Sequence, residues 1–411
     1  MSKIDELLAQ QCPNGVEFKT LGELGTFLGG LSGKSKEDFK NGNAKFITYM
    51  NVFSNISLNL DVTDTVKIGE GEKQNTIQYG DVLFTGSSET PNECGMSSVL
   101  TVRTDEMLYL NSFCFIYRFN DPELFLPSFS KYLFRSDYLR KQIIKTASGV
   151  TRFNVSKAKM AKVKIPVPPL EVQAEIVKIL DNFTELTAEL TAELTARKKQ
   201  YEYYRDLLLD FGVHGGATSE CKWRTIKLGD IGKISMCKRI MKSETSPDGD
   251  IPFYKIGTFG GEPNAYISKE TFEKYKSLYS FPKKGDILIS AAGTIGRTVV
   301  YDGEPAYYQD SNIVWIDNDE TIVLNRYLYY VYQLSPWQIS TGGTIARLYN
   351  DNIANAKINI PSIKEQEQIV SILDRFDKLC NDISEGLPAE IEARRKQYVY
   401  YRDKLLSFNE A

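Results

Sequence analysis

One histidine, His214, stands in the 411-residue chain, inside the Gly-rich stretch GVHGGATSE. A single imidazole leaves no material for a Ser-His-Asp triad, an HExxH zinc site or a second histidine base, and in a glycine linker it reads as solvent-exposed. The six cysteines (Cys12, Cys94, Cys114, Cys221, Cys237, Cys380) form no CxxC pair. That argues against a structural zinc and a disulfide framework, and they read as reduced thiols. No apolar run reaches membrane-spanning length, and MSKIDELLAQ lacks the charged start and apolar middle of a signal peptide. The expected location is the cytoplasm, with no membrane partner. GGLSGKS (Gly29 to Ser35) approaches a phosphate-binding loop, but GxxxxGK[ST] requires glycine where Leu28 stands. The Asn/Asp-Pro-Pro-aromatic motif of amino-methyltransferases is missing as well: VPPL (Val167 to Leu170) has the prolines without polar lead or aromatic. Acid-x-Lys triplets such as Glu17-Phe18-Lys19 are expected by chance in a chain with 25% charged residues. No catalytic, metal or cofactor site is expected in this chain.

What is present is a duplication. RKKQYEYYRDLLLDF (Arg197 to Phe211) returns as RRKQYVYYRDKLLSF (Arg394 to Phe408), and EIVKILDNF (Glu175 to Phe183) as QIVSILDRF (Gln368 to Phe376). KIPVPPL (Lys164 to Leu170) and NIPSI (Asn359 to Ile363) precede them. At one offset of 205 residues Tyr49 meets Tyr254, Gly80-Asp81 meets Gly285-Asp286 and DVLF (from Asp81) meets DILI (from Asp286). LGELG (from Leu21) pairs with LGDIG (from Leu228). Each half reads as a body followed by a long helix, with pseudo-twofold geometry between halves. The helices match closely and the bodies loosely, as expected of one framework carrying two recognition surfaces. The bodies read as α+β, with strands at Phe46 to Val52, Val82 to Thr85, Phe113 to Arg118, Ile251 to Ile256, Ile287 to Ser290 and Ile313 to Ile316.

A net charge of −3 looks unsuited to nucleic acid until it is divided along the chain. The segments Glu171 to Phe211 and Glu365 to Phe408 hold −4 and −2, leaving +3 elsewhere. Lys131 to Lys164 carries ten bases, among them Arg140, Lys141, Lys145, Arg152 and Lys157, against the single acid Asp137. Such density fits a phosphate-binding stripe, since neutralised phosphates release counterions. The alternative is a solvated helix face. A smaller cluster, Lys233, Lys238, Arg239 and Lys242, lies in the second body.

Apolar residues from Ile176 to Phe211 recur every three or four positions without glycine or proline, which predicts an amphipathic helix of about forty residues and roughly 60 Å. The second stripe, Ile369 to Phe408, is interrupted by Gly386 and Pro388, which predicts a break there. Two stripes in one chain bury each other most simply as an antiparallel coiled coil. LTAELTAELT (Leu186 to Thr195) repeats every four residues. One tetrapeptide adds about 6 Å and a turn plus roughly 40°, comparable to one or two base-pair steps of about 3.4 Å and 35°. It reads as an adjustable ruler or as helix filler. Tyr203 and Tyr400 fall about 200° round the helix from Tyr201 and Tyr398, and serve either two like partners or the protein's own bodies.

Two loosely matched bodies, the QYxYYRDxLLxF motif at Gln200 to Phe211 and Gln397 to Phe408, and a TAEL-type spacer together resemble the specificity subunit of type I restriction-modification systems, over the whole chain. The resemblance implies two target-recognition domains (residues 1–166 and 214–362), each reading half of a bipartite double-stranded DNA sequence, joined by helices at 167–213 and 363–411. It also implies two methyltransferase subunits using S-adenosylmethionine and two motor-nuclease subunits using ATP and Mg. None of that catalysis would lie here. Candidate base-reading loops are Gly86, Ser87 and Ser88 with Ser290 and Gly293, and Thr151, Arg152 and Asn154 with Thr344 and Arg347; each is equally readable as a plain turn. A coiled-coil scaffold without DNA readout and a nucleotide-hydrolysing enzyme built on Gly29 to Ser35 are the rival readings.

Overall fold

The computed structural model describes residues 3–210, 223–339, 347–382 and 384–411. Two compact units emerge, and neither is a continuous stretch of chain: residues 1–190 with 391–411, and residues 191–390.

In the first unit a four-stranded antiparallel sheet has the order Gly25–Gly29, Cys114–Phe119, Val82–Thr85, Ser97–Val99. Beside it, Ala44–Ile47 pairs antiparallel with Thr65–Val66 and parallel with Leu108–Leu110. A two-stranded ribbon, Phe18–Thr20 with Lys164–Pro166, carries the chain into the long helix. The second unit repeats this plan. Its four-stranded sheet runs Gly232–Met236, Ile313–Asn318, Ile287–Ser290, Thr298–Val300, its mixed sheet centres on Ile251–Tyr254 with Tyr266–Ile267 and parallel Tyr307–Tyr308, and its ribbon joins Arg224–Lys227 to Lys357–Ile360.

The repeated Gly-Asp pair is explained by the turn entering each central strand. Gly80 and Gly285 have φ of 87° and 95°, a region L-residues avoid. The following aspartate locks the turn: Asp81 accepts from Gln78 N at 2.7 Å and Asp286 from Lys283 N at 2.7 Å. All four residues of Val82–Thr85 and of Ile287–Ser290 are buried, as their unalternated apolar sequence requires. The strand expected from Phe46 to Val52 stops at Ile47 instead, because Thr48 caps a short helix, Tyr49–Ser54, by accepting from Asn51 N at 3.3 Å.

The first long helix is unbroken over Leu170–Leu209. The second copy is two helices, Ile363–Asn381 and Leu387–Leu405. Gly386 sits where a Cβ would lie 2.6 Å from Lys378 O and 2.7 Å from Asp382 O, so only glycine fits the break. Each unit's core contains the start of one helix and the end of the other. In the first unit Val172, Ile176 and Leu180 share a core with Tyr398, Leu405 and Leu406, and the Phe183 and Tyr401 rings stack at 5.3 Å. In the second, Ile369, Leu373 and Cys380 share a core with Tyr201 and Leu209, and Tyr204 stacks on Phe376 at 5.6 Å. Start meeting end in both units is what antiparallel helices require.

Helix and body are fastened by the same two devices in each unit. Gln173 is fully buried; its amide donates to Leu124 O and Pro168 O and its oxygen accepts from Leu126 N. Gln366 does the same with Ile322 O, Pro361 O and Leu324 N. Just over two helical turns further on in each copy, Asp181 accepts from the Tyr132 hydroxyl and Lys131, and Asp374 from the Tyr330 hydroxyl and Arg326. No helix among the described residues is long and apolar enough to cross a membrane.

Candidate functional site

In the first unit the chain brings together two segments that are far apart in sequence. Strand Ser87–Ser88 pairs with Phe153–Val155, placing Ser88 opposite Phe153 and Ser87 opposite Asn154. Gly86 is squeezed against Phe113 O, 2.8 Å from where its Cβ would be, and its carbonyl accepts from Val155 N at 2.9 Å. Tyr49 reaches over from the short helix and donates its hydroxyl to Ser87 O at 2.8 Å. The result is a cleft of about 490 Å³ lined by Ser87, Ser88, Thr151 and Arg152 together with Tyr49, Met50, Phe113, Glu89 and Glu93. Arg152 donates from Nε to Ser87 Oγ at 3.2 Å and its guanidinium lies 5.3 Å from the Phe113 ring centroid. Met50 and Phe113 are large apolar side chains left 59% and 55% exposed, and they escape sequence reasoning because neither belongs to a polar or repeated motif. Asn154 is exposed and donates to Arg152 O at 3.4 Å.

The basic stretch divides. Arg135 donates to Ser97 O, Val52 O, Phe53 O and Asn55 O, and Arg140 to the carbonyls of Gly95, Asn92 and Cys94. Burial pulls both guanidiniums down to about 10, so they stay charged at neutral pH while holding loop backbone. Lys131 pairs with Asp181, Lys141 with Asp137 and Lys164 with Glu410. The exposed remainder includes Lys145, Arg152, Lys157 and Lys159, with Lys157 Nζ 5.4 Å from the Phe115 ring. Lys131, Arg135 and Arg140 are thus drawn into the fold, while Lys141 and Lys164 are paired yet exposed like the remainder.

The second unit spends its corresponding residues differently. Ser290 is buried, donates to Thr294 O and accepts from Arg297 N at 2.8 Å, and Gly293 takes φ 64° in the same turn. Arg347 gives one terminal nitrogen to Ser311 O at 2.9 Å and Ser311 Oγ at 3.0 Å, holding a residue at φ 51°. Thr344 lies outside the described residues. Arg239 pairs with Asp310 at 2.9 Å, and Lys238 lies 5.1 Å from the Tyr279 ring.

On the helices, Tyr203 and Tyr400 are 63% and 60% exposed while Tyr201 is 7% exposed. Each sits edge-on to its neighbour, Tyr203 on Tyr204 at 5.4 Å and Tyr400 on Tyr401 at 5.3 Å. Both rings therefore stand mostly exposed on the helix surface. The loop Gly29 to Ser35 leads only into a 3₁₀ turn, Lys36–Phe39, and Lys34 is neutralised by Glu72 at 2.6 Å with its side chain 8% exposed. A phosphate loop needs a helix N-terminus and a free lysine; this one offers neither, and the nucleotide-hydrolase reading falls.

Comparison with known proteins agrees in register with the duplication. The family model described as type I restriction modification DNA specificity domain matches twice, over residues 13–197 and 220–393. A Haemophilus influenzae protein named as a type I restriction enzyme specificity subunit is 58% identical over 270 residues, covering 64% of this chain and 68% of the relative. The Escherichia coli EcoR124I/EcoR124II specificity subunit is 37% identical over 272 residues, covering 62% and 65%. A chain solved in work on complex assembly and conformational transition of the type I R-M system superposes with a TM-score of 0.62 at 19% identity, over 96% of this chain and 98% of that one, which shows a common fold.

Proposed function

The chain belongs to the family of type I restriction-modification DNA specificity subunits, and from that membership we propose that it reads the DNA target for a complex whose chemistry is done by other subunits. Its two target-recognition domains, residues 1–166 and 214–362, each read one half of a bipartite sequence, while the helices at 167–213 and 363–411 hold the readers apart. The observation that carries this reading is the repeat itself: the two bodies share a four-stranded sheet, a mixed three-stranded sheet and a two-stranded ribbon, yet the segments over their central strands differ, Ser87-Ser88, which pairs with Phe153–Val155, against Ala292-Gly293, and Phe113 against Asn312. A common scaffold under unlike loops is how one chain reads two unlike half-sites.

The complex contains modification and restriction subunits besides DNA. Two methyltransferase subunits using S-adenosylmethionine fit the matched, exposed Tyr203 and Tyr400, because aromatic side chains presented alike offer two like docking points. Two motor-nuclease subunits using ATP and Mg complete the assembly. The reader's surface comprises Gly86, Ser87, Ser88, Thr151, Arg152 and Asn154, with Lys145 and Lys157 on flanking phosphates; Lys238 and Arg239 serve the second half-site.

Co-expression with the neighbouring methyltransferase subunit, followed by genome-wide mapping of methylated adenine, tests this. A two-part motif with a fixed gap is the expected result. A stable complex that leaves the genome unmethylated and binds no duplex would instead make the chain a coiled-coil scaffold.

A further inference from the structure

The arginines of the first unit's body can be sorted by what their guanidiniums already hold. Arg118 grips Asp81 through Nε and one terminal nitrogen at 2.8 and 2.7 Å. Arg135 and Arg140 are spent on backbone carbonyls, and Arg103 lies over the Tyr79 ring, none of the three lining the cleft. Arg152 differs: Nε is tied to Ser87 Oγ, the plane is steadied by the Phe113 ring, and among the described residues neither terminal nitrogen has a protein partner. Its anchor is itself fixed, since Ser87 is a strand residue whose carbonyl takes the Tyr49 hydroxyl. A guanidinium held at Nε, in a residue that lines an open cleft and with neither terminal nitrogen bonded among the described residues, is a fork with little rotamer entropy left to lose.

What such a fork takes is decided by the rest of the cleft. Glu89 and Glu93 line it as well, and Glu93 is held there by the hydroxyls of Ser88 at 3.2 Å and Thr90 at 2.8 Å. Two carboxylates beside one guanidinium repel a phosphate. A neutral edge with two adjacent acceptors suits the fork, and among base pairs in the major groove only guanine offers it, through O6 and N7; adenine presents N7 beside an N–H₂ donor and thymine one acceptor beside a methyl group.

We propose that Arg152 is a specificity-determining residue that reads a guanine in the half-site of the first unit, and that its positional counterpart Arg347 is not a reader but a loop-holding residue. Arg347 has spent a terminal nitrogen on the carbonyl and hydroxyl of Ser311, and so cannot present the same free fork. Pseudo-symmetry thus conserves the arginine while the two units use it in different ways.

This rests on the DNA-reading assignment, and the test separates the two. The chain assembled with its methyltransferase subunits is titrated with duplexes carrying its mapped target, in which each guanine in turn is replaced by 7-deazaguanine, and with duplexes substituted at each base pair. One guanine of one half-site is expected to lose roughly tenfold or more in affinity on losing N7. Arg152→Ala should be indifferent to that replacement and accept other base pairs at that position alone, Arg152→Lys should fail to restore discrimination, and Arg347→Ala should leave discrimination at that position intact. Sequence-specific binding by the wild type that is insensitive to 7-deazaguanine at every position overturns the guanine contact and leaves the DNA reader standing. So does uniform weakening by Arg152→Ala across all sequences with a shallower salt dependence, the mark of a phosphate contact. Absence of binding to any duplex overturns both. The 7-deazaguanine series uses unaltered protein, so it decides even if a variant fails to fold.

Discussion

At the scale of single residues, the chain's cations and thiols have roles set by burial. Arg140 replaced by alanine leaves the carbonyls of Gly95, Asn92 and Cys94 without their donor. A loss on the order of 2 kcal/mol is expected from those unpaired groups, seen as a lower urea midpoint with the m-value kept; an unchanged midpoint would return Arg140 to the pool of free cations. Burial pushes the Cys114 and Cys237 thiols up to about 12, so neither carries appreciable thiolate at pH 8. Iodoacetamide followed by mass spectrometry should modify both only after unfolding, and rapid labelling of the native protein would contradict their burial. Glu72 is held down to about 2, first by Lys34 and then by Gly69 N and Gln74. Its folded value lies below the unfolded one near 4.3, so its contribution is present above that value and fades as pH falls towards 2. Glu72→Gln should flatten the acid limb of a stability–pH profile in that window, and an identical limb would show that the pair adds nothing.

At the scale of elements, the two helix copies differ where the chain can tolerate it. Between Leu180 and Tyr201 no position of the first helix is fully buried, and that stretch contains the TAEL run. Its threonines bond back within the helix, Thr187 to Phe183 O and Thr195 to Thr191 O, so a tetrapeptide can be added or removed without opening a core. Deleting one TAEL unit is expected to alter the unread gap of the methylated motif by about one or two base pairs while keeping both half-sites; an unaltered gap makes the run mere filler. The buried glutamines behave oppositely. Gln173→Leu and Gln366→Leu each strand two carbonyls and an amide, a cost of about 3 kcal/mol apiece measurable by chemical denaturation. Similar losses at both positions would show the two fastenings to be equivalent, and a negligible loss at either would show that water replaces it.

At the scale of the whole molecule, neither compact unit is continuous in sequence. The first unit takes Tyr398, Leu405 and Leu406 from the far end of the chain, and Asp403, Asn409 and Glu410 bond to Asp137 N, Val16 N and Lys164. Removing residues 391–411 should therefore expose the first unit to limited proteolysis, although its sheets all lie before residue 170; a first unit as resistant as in the full chain would disprove that dependence. The sequence alone determined the duplication, the strands Val82–Thr85 and Ile287–Ser290 and the break at Gly386, because apolar periodicity, glycine and proline act through neighbours a few residues away. It also brought Ser87 and Arg152 forward as candidates, but as members of separate loops. Only the tertiary structure decided that these two share a cleft with Phe113, that Arg140 is spent on backbone, and that Arg152 and Arg347 divide into a free fork and a bound one. Which donor meets which acceptor depends on pairing across 65 residues in the first unit and 36 in the second, and a charge written in sequence carries no mark of the partner that folding will give it.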